Sequence, residues 1–357
     1  MSIISLYEKS ENLFFVGGVV RDELLGKNSP DVDLTFVGDA VEFFKDSEFE
    51  VLQTNEEFGS IHLKIEDKTV DITSTRTEIY PKKGQLPVVE KIGCSLAEDV
   101  KRRDFTVNAL AKSCKTGEIV DYVGGIEDLK NKNLRILHEN SFIDDPTRIV
   151  RGLKFAVRFG FELEENTKKL QDEYLKNVNY EMSFKRLKDE LKDAFNINKQ
   201  AVLDKFIEQK IYKLLSEDEF LPYGCDVEEF INPYLDEINN LWLVYLGGFD
   251  LKNLPLTRKE SKIIEDLQKL LITDKMTNFV EIESILLYGL IKNSEIAKKY
   301  LDEQRHIKLN ITGADLIEMG FEQSKRIADV LEAVMQYKLD NPTIGRAEEL
   351  AMAKKFM

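Results

Sequence analysis

Long apolar runs are missing from this chain. None approaches the roughly 20 residues that a transmembrane helix needs, and the segment from Met1 to Glu8 lacks the charged and apolar regions of a secretory signal peptide. We therefore expect no membrane association and a cytoplasmic location. The sequence also shows no clear internal repeat and no low-complexity tract.

Cysteine and histidine are scarce. The cysteines are far apart and odd in number, which favours a reducing compartment over a disulfide framework or a zinc site. The histidines have no metal-ligand spacing and none is followed by aspartate, which argues against an attached His-Asp metal phosphohydrolase domain. The chain has three residues of each type: Cys94, Cys114 and Cys225, and His62, His138 and His306.

Positive charge is also in short supply. The chain carries 50 lysine and arginine residues against 65 aspartate and glutamate residues, a net charge of −15. Taken alone, this balance argues against a nucleic-acid partner, because a phosphate backbone attracts lysine and arginine. A local basic face remains compatible with it, and one must be found before nucleic acid is proposed.

The 357 residues predict two or more domains, and the 43% hydrophobic content is enough for substantial cores. In the first third, strands are predicted at 13–16, 32–37, 61–65 and 70–73, with a helix from 19 to 25 and a loop at 81–95. From about residue 141 the pattern is helical. Helices are predicted near 145–159, 184–195, 200–215, 258–272, 279–292, 313–319 and 323–337.

An Asp-x-Asp pair, Asp31 and Asp33, follows a Gly17-Gly18 turn. Residues i and i+2 of a strand point to the same face, so the two carboxylates can share hard cations such as Mg²⁺. The glycine turn lets backbone N–H groups approach phosphate closely. Phosphate beside paired Mg²⁺ ligands indicates phosphoryl or nucleotidyl transfer.

Asp71 lies between apolar neighbours on a strand of its own. If that strand pairs beside the Asp-x-Asp strand, three carboxylates converge. Two metal ions held there would act on the α-phosphate, an attacking 3′-hydroxyl and the pyrophosphate leaving group. The alternatives are a solvated turn for the Asp-x-Asp pair and a capped or edge-strand aspartate for Asp71.

A second constellation is found at 101–111, where basic residues precede an acid and an apolar, helical pattern. Arg103 can hold a triphosphate as a bidentate donor. Asp104 can accept a hydrogen bond from a ribose hydroxyl, and Asn108 can offer an amide one helical turn later. The alternative is a solvated helix start with Asp104 as its N-cap.

The third constellation is the segment 144–160. It predicts a helix with Asp145 as N-cap, Pro146 in the first turn and Gly160 as its end. Apolar residues share one face of this helix, and four cations share the other. This is the required basic face, although an ordinary amphipathic helix also has a charged face. Its cations are Arg148, Arg151, Lys154 and Arg158.

Asp145 and Arg148 suggest a sharper role. Aspartate accepts a hydrogen bond and arginine donates one. Cytosine and adenine each present an amino donor beside a ring-nitrogen acceptor, whereas guanine and uracil present the reverse. One Asp/Arg pair could therefore take C and A and reject G and U without a nucleic-acid template. This is a hypothesis at this point.

In this order, the motifs resemble those of the class II tRNA nucleotidyltransferases, the CCA-adding enzymes, and their poly(A) polymerase relatives. The resemblance spans about residues 13–190. It assigns metal and triphosphate binding to the first motif, ribose binding to the second, a head–neck turn to the third and base selection to the fourth. The motifs are Gly17-Gly18-Val19-Val20-Arg21-Asp22 with Asp31-Val32-Asp33, Arg102–Ala109, Gly124–Leu129, and Asp144–Arg148 with Arg151.

The chain departs from the family pattern at two places. Lys154 stands where the family usually has arginine, which keeps the charge but loses the planar fork. Lys185 to Glu190 stands where the family has Glu-Arg-x-x-x-Glu. We expect the second change to alter the ion pairs of the neck rather than the chemistry.

The resemblance implies an α/β head with a polymerase-β-like mixed sheet, followed by an all-α neck, body and tail in an elongated molecule. The expected domains are a head at 1–135, a neck at 136–200, a body at 201–300 and a tail at 301–357. Body and tail would hold the tRNA acceptor arm, and no obligatory protein partner is evident. The candidate phosphate contacts of the tail are Lys325, Arg326 and Lys338.

The implied activity is template-independent addition of C, C and A to the 3′ end of tRNA from CTP and ATP, with two Mg²⁺ ions and release of pyrophosphate. A CC-adding enzyme, an A-adding enzyme and a poly(A) polymerase share the head motifs, and the loop from Arg76 to Cys94 does not decide between them. A small-molecule nucleotidyltransferase would not need the helical body. A catalytically inactive RNA-binding protein is the alternative from another class.

Overall fold

Short strands separated by turns build the N-terminal part of the chain. The computed structural model describes residues 3–29, 32–66, 68–218, 220–276 and 280–357. The strands, in chain order, are β1 (Leu13–Val16), β2 (Asp33–Phe36), β3 (Glu50–Asn55), β4 (Ser60–Ile65), β5 (Lys68–Ser74), β6 (Arg76–Ile79), β7 (Val88–Ile92), β8 (Ala111–Ser113), β9 (Ile119–Val120), β10 (Asn133–Leu134) and β11 (Glu162–Leu163).

Seven of these strands form one mixed sheet in the order β3-β4-β5-β2-β1-β8-β9. β2 and β5 run parallel, and the other neighbouring pairs are antiparallel. Alternation along the strands puts Leu34, Ile61 and Ile72 into a core with Phe44, while the residues between them face the other side of the sheet. The predicted mixed sheet of the head is confirmed.

The predicted loop at 81–95 is only partly a loop. β6 and β7 form an antiparallel hairpin, with Arg76 opposite Ile92. The proline and glycine residues that predicted a loop lie mainly in its turn, and β-branched residues such as Val88 and Val89 continue the ladder beyond it. The apolar pattern after Asn108 is not helical either, because it becomes β8.

Helices provide most of the remaining structure. They are α1 (Ile3–Glu8), α2 (Gly18–Leu24), α3 (Ala40–Phe44), α4 (Leu96–Asp99), α5 (Gly125–Asn131), α6 (Ser141–Asp144), α7 (Thr147–Phe159), α8 (Glu165–Lys176), α9 (Phe184–Phe195), α10 (Gln200–Glu208), α11 (Val227–Ile231), α12 (Leu241–Leu246), α13 (Arg258–Thr273), α14 (Ile282–Ile291), α15 (Ser294–Lys299), α16 (Gly313–Glu318), α17 (Lys325–Asp340) and α18 (Arg346–Ala353). Within the described ranges, no helix has the length and apolarity needed to cross a bilayer.

The predicted helices are observed with small shifts at their ends. α9 has the predicted bounds, and α16 begins with the capping box expected from Thr312 and Asp315. The helix predicted at 200–215 ends at Glu208 and is followed by a 3₁₀ turn, Ile211–Leu214. Residue 279, where another helix was predicted to begin, lies outside the described residues, and α14 begins at Ile282.

Contacts divide the chain into two units. The first comprises residues 1–194 and 204–214, and the second comprises residues 195–203 and 215–357. The first unit contains the seven-stranded sheet with α1–α9 as its helices up to residue 194. The second unit is helical among its described residues, in line with the expected all-helical remainder.

Lys338, on α17 of the second unit, is not a surface residue. Its ammonium is buried and pairs with the buried carboxylate of Glu349 on α18. The same carboxylate accepts hydrogen bonds from the backbone N–H groups of Asn310 and Ile311, at 2.7 and 3.1 Å. The expected phosphate contact by Lys338 is therefore wrong, because the side chain already holds α17 against α18.

We expect Lys338→Met to lower the free energy of unfolding by about 3 kcal/mol, because it leaves a buried carboxylate without its cation. Urea unfolding near neutral pH would measure the loss. Lys355→Met, at an exposed position, is the matched control and should change little. An unchanged stability together with weaker RNA binding would restore the phosphate-contact interpretation.

Candidate active site

Two sequence-predicted carboxylates meet on the sheet. Asp33 begins β2, and Asp71 is its direct partner on the parallel strand β5. The two strands thus pair side by side, which was the condition for their carboxylates to converge, while Asp31 lies outside the described residues. His62 on β4 is also opposite Asp71, and its Nδ1 lies 2.6 Å from a carboxylate oxygen of Asp71. The histidine that the sequence left without a role thus contacts the candidate metal site.

The glycine turn leads directly into α2. Gly17 has φ of 71°, a left-handed conformation that side chains disfavour, and a Cβ there would lie 3.4 Å from Arg103 Nη1. Arg21 is buried; it pairs with Asp22 and donates to the side-chain oxygen of Asn108. Asp22 lies beneath the turn and does not line the cleft, so a direct contact between Asp22 and nucleotide remains a prediction without geometric support.

Asp104 is held by several donors at once. Its Oδ2 accepts from Arg151 at 2.6–2.8 Å, and its Oδ1 accepts from the Asn108 amide at 3.0 Å and from the Phe105 backbone. Burial alone would raise the pKa of Asp104, but the Arg151 guanidinium and these hydrogen bonds hold it at about 2. Asp104 is therefore a buried anion rather than the N-cap of a solvated helix.

Arg103 faces the cleft from a buried ionic cluster. Asp99 is fully buried and pairs with both Arg102 and Arg103. Its burial would raise its pKa, but these guanidinium groups outweigh that effect and lower the pKa below its usual range. The Nε of Arg103 is buried without a hydrogen-bond partner. A buried donor without an acceptor is costly, so this group is suited to a bound anion.

The basic face of α7 is present, and two of its four cations, Arg151 and Lys154, form ion pairs with acids. Arg148 is 3% exposed, and its guanidinium donates to Ser141 Oγ at 2.6 Å and to the backbone oxygen of Arg102 at 2.8 Å. Lys154 pairs with Glu190. Arg158 is exposed and lies over the ring of Phe159. All four cations of the predicted basic face border the cleft, from the buried Arg148 to the exposed Arg158.

Asp145 lies two residues before Thr147, the first residue of α7, with Pro146 between them, and the helix ends at Gly160 in a left-handed conformation. Its Oδ1 accepts from the N–H and hydroxyl of Thr147, at 3.2 and 2.6 Å, and its Oδ2 accepts from Arg186 at 2.5 Å. Asp145 is 4% exposed. Both carboxylate oxygens are thus fixed, and the predicted base-selecting pair is held rigidly by its surroundings.

These groups line one cleft of about 600 Å³ within the first unit. The glycine turn and Asp33 border it on the sheet side. Residues from the 101–108 segment, α7, the β6–β7 hairpin and α9 border other parts. The predicted site residues that line it are Gly17, Gly18, Arg21, Asp33, Arg103, Asp104, Asn108, Asp145, Arg148, Arg151, Lys154 and Arg158. Asp71 borders an adjoining cavity instead.

The carboxylates on the sheet fit a hard divalent cation. Asp33 and Asp71 are exposed, in register and on neighbouring strands, and carboxylate oxygens are the ligands that Mg²⁺ prefers. Among the described residues, no group of three or more acidic, histidine or cysteine side chains is arranged to hold a metal ion. Asp31, two positions before Asp33, is outside that set.

Sequence reasoning missed the partners that hold the site. Arg186 bonds Asp145, and Glu190 pairs with Arg151 at 3.1 Å. Their spacing of four residues on α9 puts both on one helix face, and that spacing was the available signal. The chain's departure at Lys185 does not disturb this pattern, because Lys185 is exposed. The ion pairs of the neck thus form part of the cleft itself.

We predict that the difference in the free energy of unfolding between the wild type and Asp104→Asn depends on pH in the acid range. The folded pKa of about 2 lies below the unfolded value of about 3.9. The carboxylate therefore stabilises the fold above about pH 4 and loses this contribution as the pH falls to about 2. The stability difference between the two proteins should shrink by about 2 kcal/mol over that range.

Chemical unfolding at a series of pH values would test this expectation. The same Asp104→Asn change in an Arg151→Met background is the control, because the guanidinium that lowers the pKa is then absent. A difference between wild type and Asp104→Asn that stays constant from pH 5 to pH 2 would contradict the assignment of Asp104 as the buried anion.

The fold and the site can be compared with known proteins. A family model described as the Poly A polymerase head domain matches residues 13–135. These residues contain the seven-stranded sheet from β1 to β9, the glycine turn and the 101–108 segment. The match therefore covers the part of the cleft that lies on the sheet side.

Curated relatives match far more of the chain. It is 37% identical to a CCA-adding enzyme of Enterococcus faecalis, over 96% of this chain and 91% of that protein. It is 30% identical to an A-adding tRNA nucleotidyltransferase of Halalkalibacterium halodurans, over 97% and 88%. An A-adding tRNA nucleotidyltransferase of Aquifex aeolicus is 46% identical over 44% of this chain, which spans only 20% of that protein.

Solved structures agree with this result. A CCA-adding enzyme in an apo form covers 99% of this chain and 96% of its own, with a TM-score of 0.76 and 25% identity. A Thermotoga maritima CCA-adding enzyme complexed with tRNA has a TM-score of 0.69 and 25% identity, over 98% and 94% of the chains. The chain therefore belongs to the family of CCA-adding and A-adding tRNA nucleotidyltransferases.

Proposed function

We propose that this protein adds C, C and A to the 3′ end of tRNA without a nucleic-acid template, using CTP and ATP and releasing pyrophosphate. The observation that carries the proposal is the rigid Asp145/Arg148 pair in the same cleft as Gly17 and Arg103. A site for a triphosphate and a protein group that can read a base thus lie together. The Enterococcus faecalis relative bears the name of a CCA-adding enzyme.

Each wall of the cleft has a distinct role in this proposal. The Gly17-Gly18 turn and Arg103 bind the triphosphate, and the buried Nε of Arg103 gains an acceptor. Asp104 and Asn108 position the ribose, and Arg151 fixes the orientation of the Asp104 carboxylate. The described groups that would bind the triphosphate are cationic, although the whole chain is acidic. The positive electrostatic potential that they create attracts a nucleotide.

Two Mg²⁺ ions complete the proposed site. Asp31 and Asp33 would hold them, with Asp71 as a third ligand or as a neighbour that orients the site. When bound, these ions supply charge neutralisation for the phosphates and a more acidic attacking hydroxyl. The protein's own part is to place the carboxylates in register and to hold the nucleotide still.

The base is selected by donor and acceptor polarity. The carboxylate of Asp145 would accept from the amino group of C or A, and Arg148 would donate to the adjacent ring nitrogen. Asp145 accepts from Thr147 and Arg186, and Arg148 donates to Ser141 and to the backbone oxygen of Arg102; a base would bind through the remaining acceptor and donor positions of the two groups. G and U would bring donor against donor and acceptor against acceptor, which costs affinity.

The remainder of the chain would hold the acceptor arm of tRNA. Arg326 is exposed on α17 and remains a candidate phosphate contact, although it also donates to the backbone of Phe356. The side chain of Lys325 lies outside those described. We propose a head at 1–135, a neck at 136–200, a body at 201–300 and a tail at 301–357, a cytoplasmic location and no obligatory protein partner.

A partial adder is the second candidate. Three relatives named A-adding tRNA nucleotidyltransferases match this chain, at 46% identity over 44% of it, at 30% over 97% and at 26% over 96%. Such an enzyme would need the same triphosphate and base-reading groups. A poly(A) polymerase would also use the head domain, and the family model that matches residues 13–135 bears that description.

The proposed product is tested with tRNAs that lack A, CA or CCA. The protein is incubated with CTP and ATP, singly and together, and the RNA ends are sequenced. We expect complete CCA ends, with addition abolished in Asp33→Ala and in Asp31→Ala while tRNA binding is largely retained. Addition of A only to tRNA ending in CC would identify an A-adding enzyme, and long A tracts on unrelated RNA would identify a poly(A) polymerase.

We further predict that Asp145→Ala loses base selectivity by about tenfold or more, because one charge-assisted hydrogen bond to the correct base is removed. Single-nucleotide addition of each of the four nucleoside triphosphates would measure it. Asp144→Ala is the matched control, since that carboxylate pairs with Lys83 and does not line the cleft. Unchanged selectivity in Asp145→Ala would exclude this residue as the base reader.

A further inference from the structure

Asp33 lies between two cavities of the first unit. The cleft of about 600 Å³ is on one side, and a second cavity of about 350 Å³ adjoins it. Asp33, Phe58 and Arg76 border both of them, whereas Asp71 and Thr73 border only the second. The second cavity therefore shares Asp33 with the cleft and adds Asp71, but it lacks the base-reading groups of α7.

The floor of the second cavity is a polar sheet face. Thr73 is two residues beyond Asp71 on β5, so both side chains point to the same face. Ser60 on β4 is directly opposite Thr73 and shares that face. Ile61 and Ile72, at the intervening positions, are buried in the core on the other side. The cavity thus offers hydroxyl and carboxylate groups over its floor.

One edge of this cavity is an aromatic ring fixed by its turn. Phe58 precedes Gly59, which has φ of 59° and where a Cβ would lie only 2.7 Å from Ser74 Oγ. The Phe58 N–H donates to Asn55 Oδ1, and Arg76 Nη1 donates to the Phe58 backbone oxygen at 2.9 Å. The Arg76 guanidinium also lies 5.7 Å from the centre of the ring. Ring and cation therefore form a preorganised pair.

We propose that the second cavity receives the 3′-terminal nucleotide of the acceptor RNA, with Phe58 stacking on its base and with Arg76 and Thr73 contacting its sugar and phosphate. Aromatic rings bind RNA bases by stacking, which tolerates any base. A site that must accept first a discriminator base and then each added C requires that tolerance. This inference rests on the proposed nucleotidyl transfer.

The chemistry requires two sites that meet at one point. The 3′-hydroxyl oxygen forms a bond to the α-phosphorus, the bond from that phosphorus to the bridging oxygen breaks, pyrophosphate leaves, and the hydroxyl proton passes to solvent. Attacking and leaving oxygens are roughly in line. A triphosphate in the first cleft therefore needs its acceptor beside Asp33, which the adjoining second cavity also borders.

The steady-state kinetics of Phe58→Leu would test the proposal. We expect the KM for tRNA lacking CCA to rise roughly tenfold, because a base–aromatic stack is lost. The dissociation constant of CTP in the absence of RNA should stay within about twofold, since stacking is with the acceptor. Phe58→Trp should keep the wild-type KM, and Thr73→Val should raise it by less than Phe58→Leu.

Phe43→Leu is the matched control, because Phe43 is a partly exposed ring of the same unit that packs on Phe36 and Phe44 and borders neither cavity. Thermal unfolding of each variant confirms that it is folded. A tRNA with an abasic 3′-terminal nucleotide sharpens the test. Wild type should bind it as weakly as Phe58→Leu binds normal tRNA, and Phe58→Leu should lose nothing further.

The outcomes separate this inference from the function on which it rests. Wild-type protein that adds no nucleotide to any tRNA refutes the proposed function. Normal addition with an unchanged KM for tRNA in Phe58→Leu refutes only the acceptor site. A weakened affinity for CTP with an unchanged KM for tRNA would assign Phe58 to the first cleft instead, and would also overturn the inference.

Discussion

The buried carboxylate of Asp104 connects the parts of the candidate site. It accepts hydrogen bonds from Arg151 on α7 and from Asn108 four residues later in its own segment. Arg151 pairs in turn with Glu190 on α9. Because a buried charge is stable only when it is paired and hydrogen-bonded, these three segments are required to stay together. The positions of the cleft walls follow from that requirement.

Charge pairing also explains how an acidic chain can contain a basic cleft. Most of the arginines that border it are paired with buried acids, as Arg103 is with Asp99 and Arg186 is with Asp145. Each pairing fixes a planar guanidinium in one orientation, and a fixed donor recognises a ligand with little loss of conformational freedom. The buried acids therefore fix the orientation of the guanidinium groups in the cleft. The Nε of Arg103 has no hydrogen-bond partner and is a donor for phosphate.

Local sequence patterns predicted the structural features that depend only on residues close together in the chain. Strand alternation predicted the strands of Asp33 and Asp71, and helix-capping preferences predicted the end of α7 at Gly160. The pairing of the two strands did not follow from the pattern of either one. The bond from Arg186 to Asp145 spans 41 residues and could not be predicted from spacing alone. Lys338 was misassigned because exposure on a helix depends on which segment covers it, and here that segment is α18.

The register of β2 and β5 links the hydrophobic core to the chemistry. Leu34 opposite Ile72 is buried on the core face, and this packing leaves Asp33 opposite Asp71 on the other face. A slip of one residue would move the carboxylates into the core and the apolar pair into the cavity, so the register is fixed by a large burial energy. The same constraint places Thr73 beside Asp71. The acceptor cavity and the candidate metal ligands are thus set by one strand pairing, which the core determines without any contact from substrate.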